Sequence, residues 1–145
     1  MTRTPMDEIS HNSIAIAGES AVLSQLALRG FDANMTLGNT KNVDILVADP
    51  LTGNMFKIEV KTHYGNKESQ TALFGHTLDW IMSEKHESLI ASNLFYVFVS
   101  IAKGANSFRF FIVPSSVVAT YVKKAHELWW DTRTKEGKIL SEDNK

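Results

Sequence analysis

Two short segments decide how this chain folds: Val43-Asp44-Ile45-Leu46-Val47 and Phe56-Lys57-Ile58-Glu59-Val60-Lys61. The second alternates without a break, so an extended backbone sends Phe56, Ile58 and Val60 to one face and Lys57, Glu59 and Lys61 to the other. The first is an apolar run that ends at Asp49-Pro50, and Asp49-Pro50-Leu51-Thr52-Gly53-Asn54 has the Pro, Gly and Asn of a tight connection. A connection this short lets the two strands pair directly, and Asp44 can then meet Glu59 and Lys61.

Upstream, apolar residues recur at helical spacing from Ser13 to Leu28, and Gly30 stands where a left-handed C-terminal cap is expected. Ala15, Val22 and Leu26 share the helix stripe beside Glu19, so this carboxylate borders the buried face and calls for a partner. Phe31 to Leu37 predicts a short strand, followed by a polar loop over Gly38 to Asn42. Downstream, Thr62 to Asp79 has no clear period; Gly65, Asn66 and Gly75 suggest loops around a short element. The pattern then predicts a helix over Trp80 to Ile90, a strand over Leu94 to Ile101, a turn, and a strand over Phe108 to Val113. A last helix opens at Pro114 and Ser115 and runs to about Trp130. Thr132 to Lys145 is almost wholly polar and is expected to be a frayed tail.

This order implies an α/β layer fold, a mixed sheet flanked by helices, with one domain over 1–131 and a tail over 132–145. With 145 residues, 43% of them hydrophobic, the chain is sized for one core. The formal net charge of -1 gives no global basic signature. Contact with nucleic acid would rest on local patches or on metal ions that offset clustered carboxylates. The absence of cysteine excludes disulfides, thiolate metal sites and cysteine nucleophiles. It also fits a reducing compartment, and a cytoplasmic location is expected. Met1 to Asn12 has no apolar signal core, and no apolar run approaches the roughly 18 residues a membrane span needs. Neither secretion nor membrane insertion is expected.

Asp44 and Glu59 on neighbouring strands offer hard oxygen ligands suited to Mg²⁺, which keeps several waters and shares its other positions with phosphate oxygens. Lys61 beside them can orient or help deprotonate an attacking water, or stabilise charge on the phosphate. Gly18-Glu19 in the first helix, Val43-Asp44-Ile45-Leu46, and Ile58-Glu59-Val60-Lys61-Thr62 together resemble the PD-(D/E)XK nuclease superfamily, restriction-endonuclease-like and Holliday-junction-resolvase-like domains included. The resemblance spans roughly Ser13 to Thr62 and implies an αβββαβ core. It implies Mg²⁺ or Mn²⁺ on Asp44 and Glu59, with Glu19 completing the site and the Val60 carbonyl as a further ligand. It also implies a water- and phosphate-directed role for Lys61, a DNA substrate and, for cutting two strands, a possible homodimer. Val43 stands where the motif has proline, a position that ligates nothing.

Asn39, Lys41, Thr62 and His63 lie near enough in sequence to be substrate contacts. Gly38-Asn39-Thr40-Lys41 lacks the spacing of a phosphate-binding P-loop, and Gly18-Glu19-Ser20-Ala21 is not a nucleophile elbow. The histidines form no close helical pair, which argues against structural zinc. The competing reading of Glu59 and Lys61 is a solvated strand face. It leaves Asp44 and Glu19 unexplained. The alternative function is a non-catalytic nucleic-acid-binding or protein-interaction domain on the same fold, or a small interaction protein working through the helix that carries Trp129 and Trp130.

Overall fold

In the computed structural model, which describes residues 9–37, 42–65, 69–71, 75–104 and 107–135, the chain enters its first helix at Ser10. The Ser10 hydroxyl accepts the Ser13 N–H and starts α1 (His11–Ala27). At the other end Gly30 takes φ 83°, and its N–H and that of Phe31 donate to Ala27 and Leu26. That turn drops Phe31 onto the core.

Five strands make the main sheet, in the order β1-β2-β3-β6-β7. These are β1 (Asp32–Met35), β2 (Ile45–Ala48), β3 (Met55–Tyr64), β6 (Leu94–Ile101) and β7 (Phe108–Pro114). A separate hairpin, β4 (Ser69–Thr71) with β5 (Gly75–Thr77), lies between β3 and β6 in sequence. β1, β2 and β3 run antiparallel, β3 and β6 parallel, and β6 and β7 antiparallel, so the sheet is mixed. α2 (Ser115–Lys135) follows β7 without a gap. The protein is a single α/β domain.

The alternation in β3 sorts the two layers. Ile58 and Val60 join Ile45, Val47, Val97, Val99 and Ile101 beneath Val22 of α1. Tyr96 packs on the opposite face with Val118 and Val122 of α2, together with Met82, Leu89, Phe98 and Val113. A one-residue slip of β3 would trade Ile58 and Val60 for Glu59 and Lys61, losing roughly 1.5–3 kcal/mol per aliphatic side chain. The core therefore fixes the register that aligns the site. α1 lies tight against β3 at Gly18, where a Cβ would lie 1.8 Å from Thr62 Oγ1.

Two expectations need correction. Trp80 to Ile90 is not a helix: its only regular element is the 3₁₀ turn Glu84–Glu87. Trp80 and Met82, two residues apart, both pack inward, the Trp80 indole N–H donating to the Val99 carbonyl while Ile81 and Ile90 are exposed. The αβββαβ order thus has a hairpin and a single turn where its second helix was expected. Thr62 to Asp79, where loops around a short element are expected, contains the end of β3 and the short β4–β5 hairpin. The final helix runs through Thr132 to Lys135, into the stretch expected as tail; residues 136–145 lie outside the described residues. No described helix is long and apolar enough to cross a membrane.

Candidate active site

β2 is short and β3 is long, and the difference creates the site. Ile45 pairs with Ile58, and that is where the β2–β3 ladder ends. β3 continues to Tyr64, supported on its other side by β6. One further backbone bond, from Asp44 N–H to the Ile58 carbonyl, closes the pairing. The next amide on that edge, Val60 N–H, has no strand opposite and donates instead to Asp44 Oδ2 at 2.6 Å. The carboxylate substitutes for the missing strand, and one of its oxygens is thereby fixed. The pleat's alternation also places the Val60 carbonyl on this open edge.

Asp44 stands one residue beyond the last ladder pair, Ile45 with Ile58, and lines the same cavity as Glu59. Glu59 is buried, at 4% exposure, and its Oε1 accepts from Lys61 Nζ at 2.7 Å. Glu19 reaches the opening from α1. A cavity of ≈ 260 Å³ is lined by Glu19, Asp44, Glu59, Val60, Lys61 and Thr62, with His11, Ile14 and Ala15 closing it above. Asp44, Glu59, Lys61, Glu19 and Val60 therefore meet in one place. Thr62 joins them through the Gly18 contact, its hydroxyl oxygen buried without a hydrogen-bond partner.

The electrostatics carry the mark of crowded carboxylates. Burial, and then the charge of Glu59, push the Asp44 carboxyl above its ordinary value, against the opposing pull of the Val60 N–H and Lys61. Burial likewise raises Glu19, with Asp44 and Glu59 adding to the shift. A carboxyl raised on folding favours the folded state below its unfolded pKa and loses that contribution as pH rises through the folded value. Near neutral pH the ionised cluster therefore costs stability. We expect Asp44→Asn, which keeps an oxygen for the Val60 N–H, to melt above wild type at pH 7. The gap should narrow as pH falls toward about 4, the ordinary carboxylate range. Thermal melts across pH check this, and a variant melting below wild type at pH 7 would contradict it.

Among the described residues, no three His, Asp or Glu side chains stand together as a ready-made metal cage. The donor chemistry still suits a hard ion that keeps its water, since Mg²⁺ usually takes one or two carboxylates and fills its remaining positions with water and phosphate. Not every expected substrate contact falls here. His63 lies outside the cavity, its ring packed edge-on against Trp80 and its Nε2 buried without a partner. It shares the Glu59 face, but Trp80 covers that end. Asn39 and Lys41 lie outside the described residues. His11 was missed as a lining residue, although its i, i+4, i+8 relation to Ala15 and Glu19 puts it on their helix face.

No protein-family model matches the chain, and no curated protein matches it. Among solved structures, a bacterial homing endonuclease, I-Ssp6803I, is similar over 77% of this chain and 70% of its own, at 14% identity and a TM-score of 0.48. A likeness of that size says nothing about chemistry, which has to be argued from the residues themselves.

Proposed function

We propose that this protein is a divalent-metal-dependent phosphodiesterase of the PD-(D/E)XK type that hydrolyses DNA. The observation that carries the reading is the convergence of Asp44, Glu59 and Lys61 in one cavity at the open edge of β3. A solvated strand face does not explain a buried glutamate next to a second partly buried carboxylate. Asp44 and Glu59 are the residues to hold Mg²⁺ or Mn²⁺, with the Val60 carbonyl and Glu19 as further oxygen donors. Bound there, the ion would supply Lewis-acid stabilisation of phosphate charge and a more acidic water.

The chain's own part follows from the geometry. Asp44 is locked by the Val60 N–H, so its second oxygen is presented to the cavity without rotamer freedom to lose. Lys61 Nζ, held on Glu59, can donate to a non-bridging phosphate oxygen or to the attacking water, where it opposes the negative charge that builds up in the transition state. Glu19, with its raised carboxyl, can accept the proton that the water loses.

The Lys61–Glu59 pair also favours a second reading, a non-catalytic binding domain, because each charge already satisfies the other. Incubating the protein with Mn²⁺ and plasmid, duplex, branched and single-stranded DNA separates the two. Cleavage of at least one substrate is expected; a folded, metal-bound protein that cuts none would overturn the enzyme reading. Calorimetric titration with Mn²⁺ should show a smaller loss of affinity for Glu19→Gln than for Asp44→Asn. Glu19 arrives from a helix at the rim, whereas Asp44 is pinned at the centre. An equal or greater loss at Glu19 would reverse the ranking of ligands.

A further inference from the structure

A buried polar side-chain atom without a hydrogen-bond partner is uncommon in a folded protein, and each one calls for a reason. Among the described residues such atoms belong to Thr62, His63, His86 and Tyr96. Thr62 lines the candidate cavity and His63 lies against Trp80. The other two meet beside Glu59. Tyr96 is the register partner of Glu59 across the β3–β6 ladder, so their side chains stand next to each other on one face of the sheet. His86 arrives from the 3₁₀ turn Glu84–Glu87, its ring edge-on to the Tyr96 ring with 6.0 Å between centroids. All three residues are buried, Glu59 at 4%, His86 at 3% and Tyr96 at 0% exposure.

The turn decides which proton the histidine holds. The Ser83 N–H donates to His86 Nδ1 at 2.9 Å, so His86 fills the place that glutamate or glutamine takes in a capping box. With Nδ1 an acceptor, the neutral ring is assigned its proton on Nε2, the atom left without a partner. Burial lowers the His86 pKa, with Lys61 and Lys85 adding to the shift, and keeps the ring neutral. Burial, and then the charge of Glu59, push the Tyr96 hydroxyl up to about 12, so it keeps its proton. Two neutral donors are thus buried next to a carboxylate that, among the described residues, accepts only from Lys61. Phenylalanine could fill the Tyr96 position and leucine the His86 position without burying a donor, so packing alone explains neither.

We propose that Tyr96 and His86 are positioning residues for Glu59, their O–H and N–H holding its carboxylate, across one bridging water, in the orientation that takes the metal ion. The inference rests on the reading of Glu59 as a metal ligand. One water matches all three groups: it accepts from Tyr96 and from His86 Nε2 and donates to Glu59, about the three bonds a buried water usually makes. Carboxylates that bind metal are commonly fixed by hydrogen bonds of this kind. Held from the Tyr96 side, Glu59 keeps its orientation when Lys61 turns from it toward phosphate or water.

Tyr96→Phe removes one atom and separates positioning from packing. Calorimetric titration of the full chain should show Mn²⁺ binding about 10- to 100-fold weaker than in wild type, the usual cost of losing such a partner. Without metal the same variant should melt at or above wild type, because the lost hydroxyl has no protein partner. His86→Asn, which keeps an acceptor for the Ser83 N–H, should weaken Mn²⁺ binding in the same way. Val122→Ala, which loosens the packing around Tyr96, should lower the melting temperature and leave Mn²⁺ affinity unchanged. Raising the Mn²⁺ concentration should restore cleavage by Tyr96→Phe to near the wild-type rate. A wild type that binds Mn²⁺ while Tyr96→Phe binds it equally well overturns the proposal alone. A folded wild type that binds no Mn²⁺ overturns the metal-site reading and the proposal with it.

Discussion

Lys61→Ala should reduce single-turnover cleavage by on the order of a hundredfold or more, the usual cost of removing a positioned acid-base or electrostatic group, while leaving Mn²⁺ affinity nearly intact. In the proposed mechanism the lysine acts on water or phosphate. The ligands proposed for the ion are the carboxylates and a carbonyl. Its loss also frees Glu59 Oε1 from the 2.7 Å ion pair, which leaves a buried carboxylate without its counter-charge. A folded Lys61→Ala protein is therefore expected to melt lower than wild type without metal and to recover part of that difference when Mn²⁺ is added. Asp44→Asn should behave in the opposite way, losing both cleavage and metal affinity while gaining stability at neutral pH. Quenched-flow assays with calorimetry and melts on the same preparations distinguish the two patterns. A Lys61→Ala enzyme that cuts at the wild-type rate would show that this lysine is only a counter-charge.

The second large effect lies at the helix contact. Alanine is the better helix former, and in an exposed helix interior Gly→Ala gains roughly 0.5–1 kcal/mol. At Gly18 the sign should reverse. The added methyl would lie 1.8 Å from Thr62 Oγ1 and 2.9 Å from Thr62 Cβ, so rotating the threonine does not clear the space. Overpacking of this kind costs about 1–3 kcal/mol and sometimes more, a fall in Tm of roughly 3–10 °C for a chain of this size. Thr62→Ala in the same chain should restore much of it, since it removes the nearest atom together with a hydroxyl that has no partner. A Gly18→Ala protein as stable as wild type would show that α1 can lift off β3. Because Glu19 is the next residue, the same lift should lower metal affinity, and that coupling can be read from one titration.

Asp44, Glu59 and Lys61 were legible because their relation is local: one strand's alternation, one short turn and a hydrophobic register place all three. Glu19 was legible as a helix position beside a buried stripe. The strand over Leu94 to Ile101 matched residue for residue for the same reason, an unbroken apolar run between turn signals. The stretch from Trp80 to Ile90 was not legible. Its order comes from contacts distant in sequence, chiefly Trp80 against Val99 and Phe98, and its apolar residues imitate a helix by chance. His63 was misplaced for a related reason: strand alternation gives its face but not what covers that face. The bond from Val60 to Asp44 could not be read at all, because it depends on where β2 stops.

That bond has a consequence for how the chain tolerates change. The turn over Asp49 to Asn54 is tied together largely by its own groups, Asp49 accepting from Leu51 and Thr52. Residues can be added there without moving the carboxylate, since the paired segments on either side keep their alignment. A single insertion between Ile45 and Ala48 is different. It would rotate Asp44 to the opposite face, strip the Val60 amide of its acceptor and empty the core position of Ile45 in one step. Loop length here is free to drift, while strand length and chemistry are inherited as one unit.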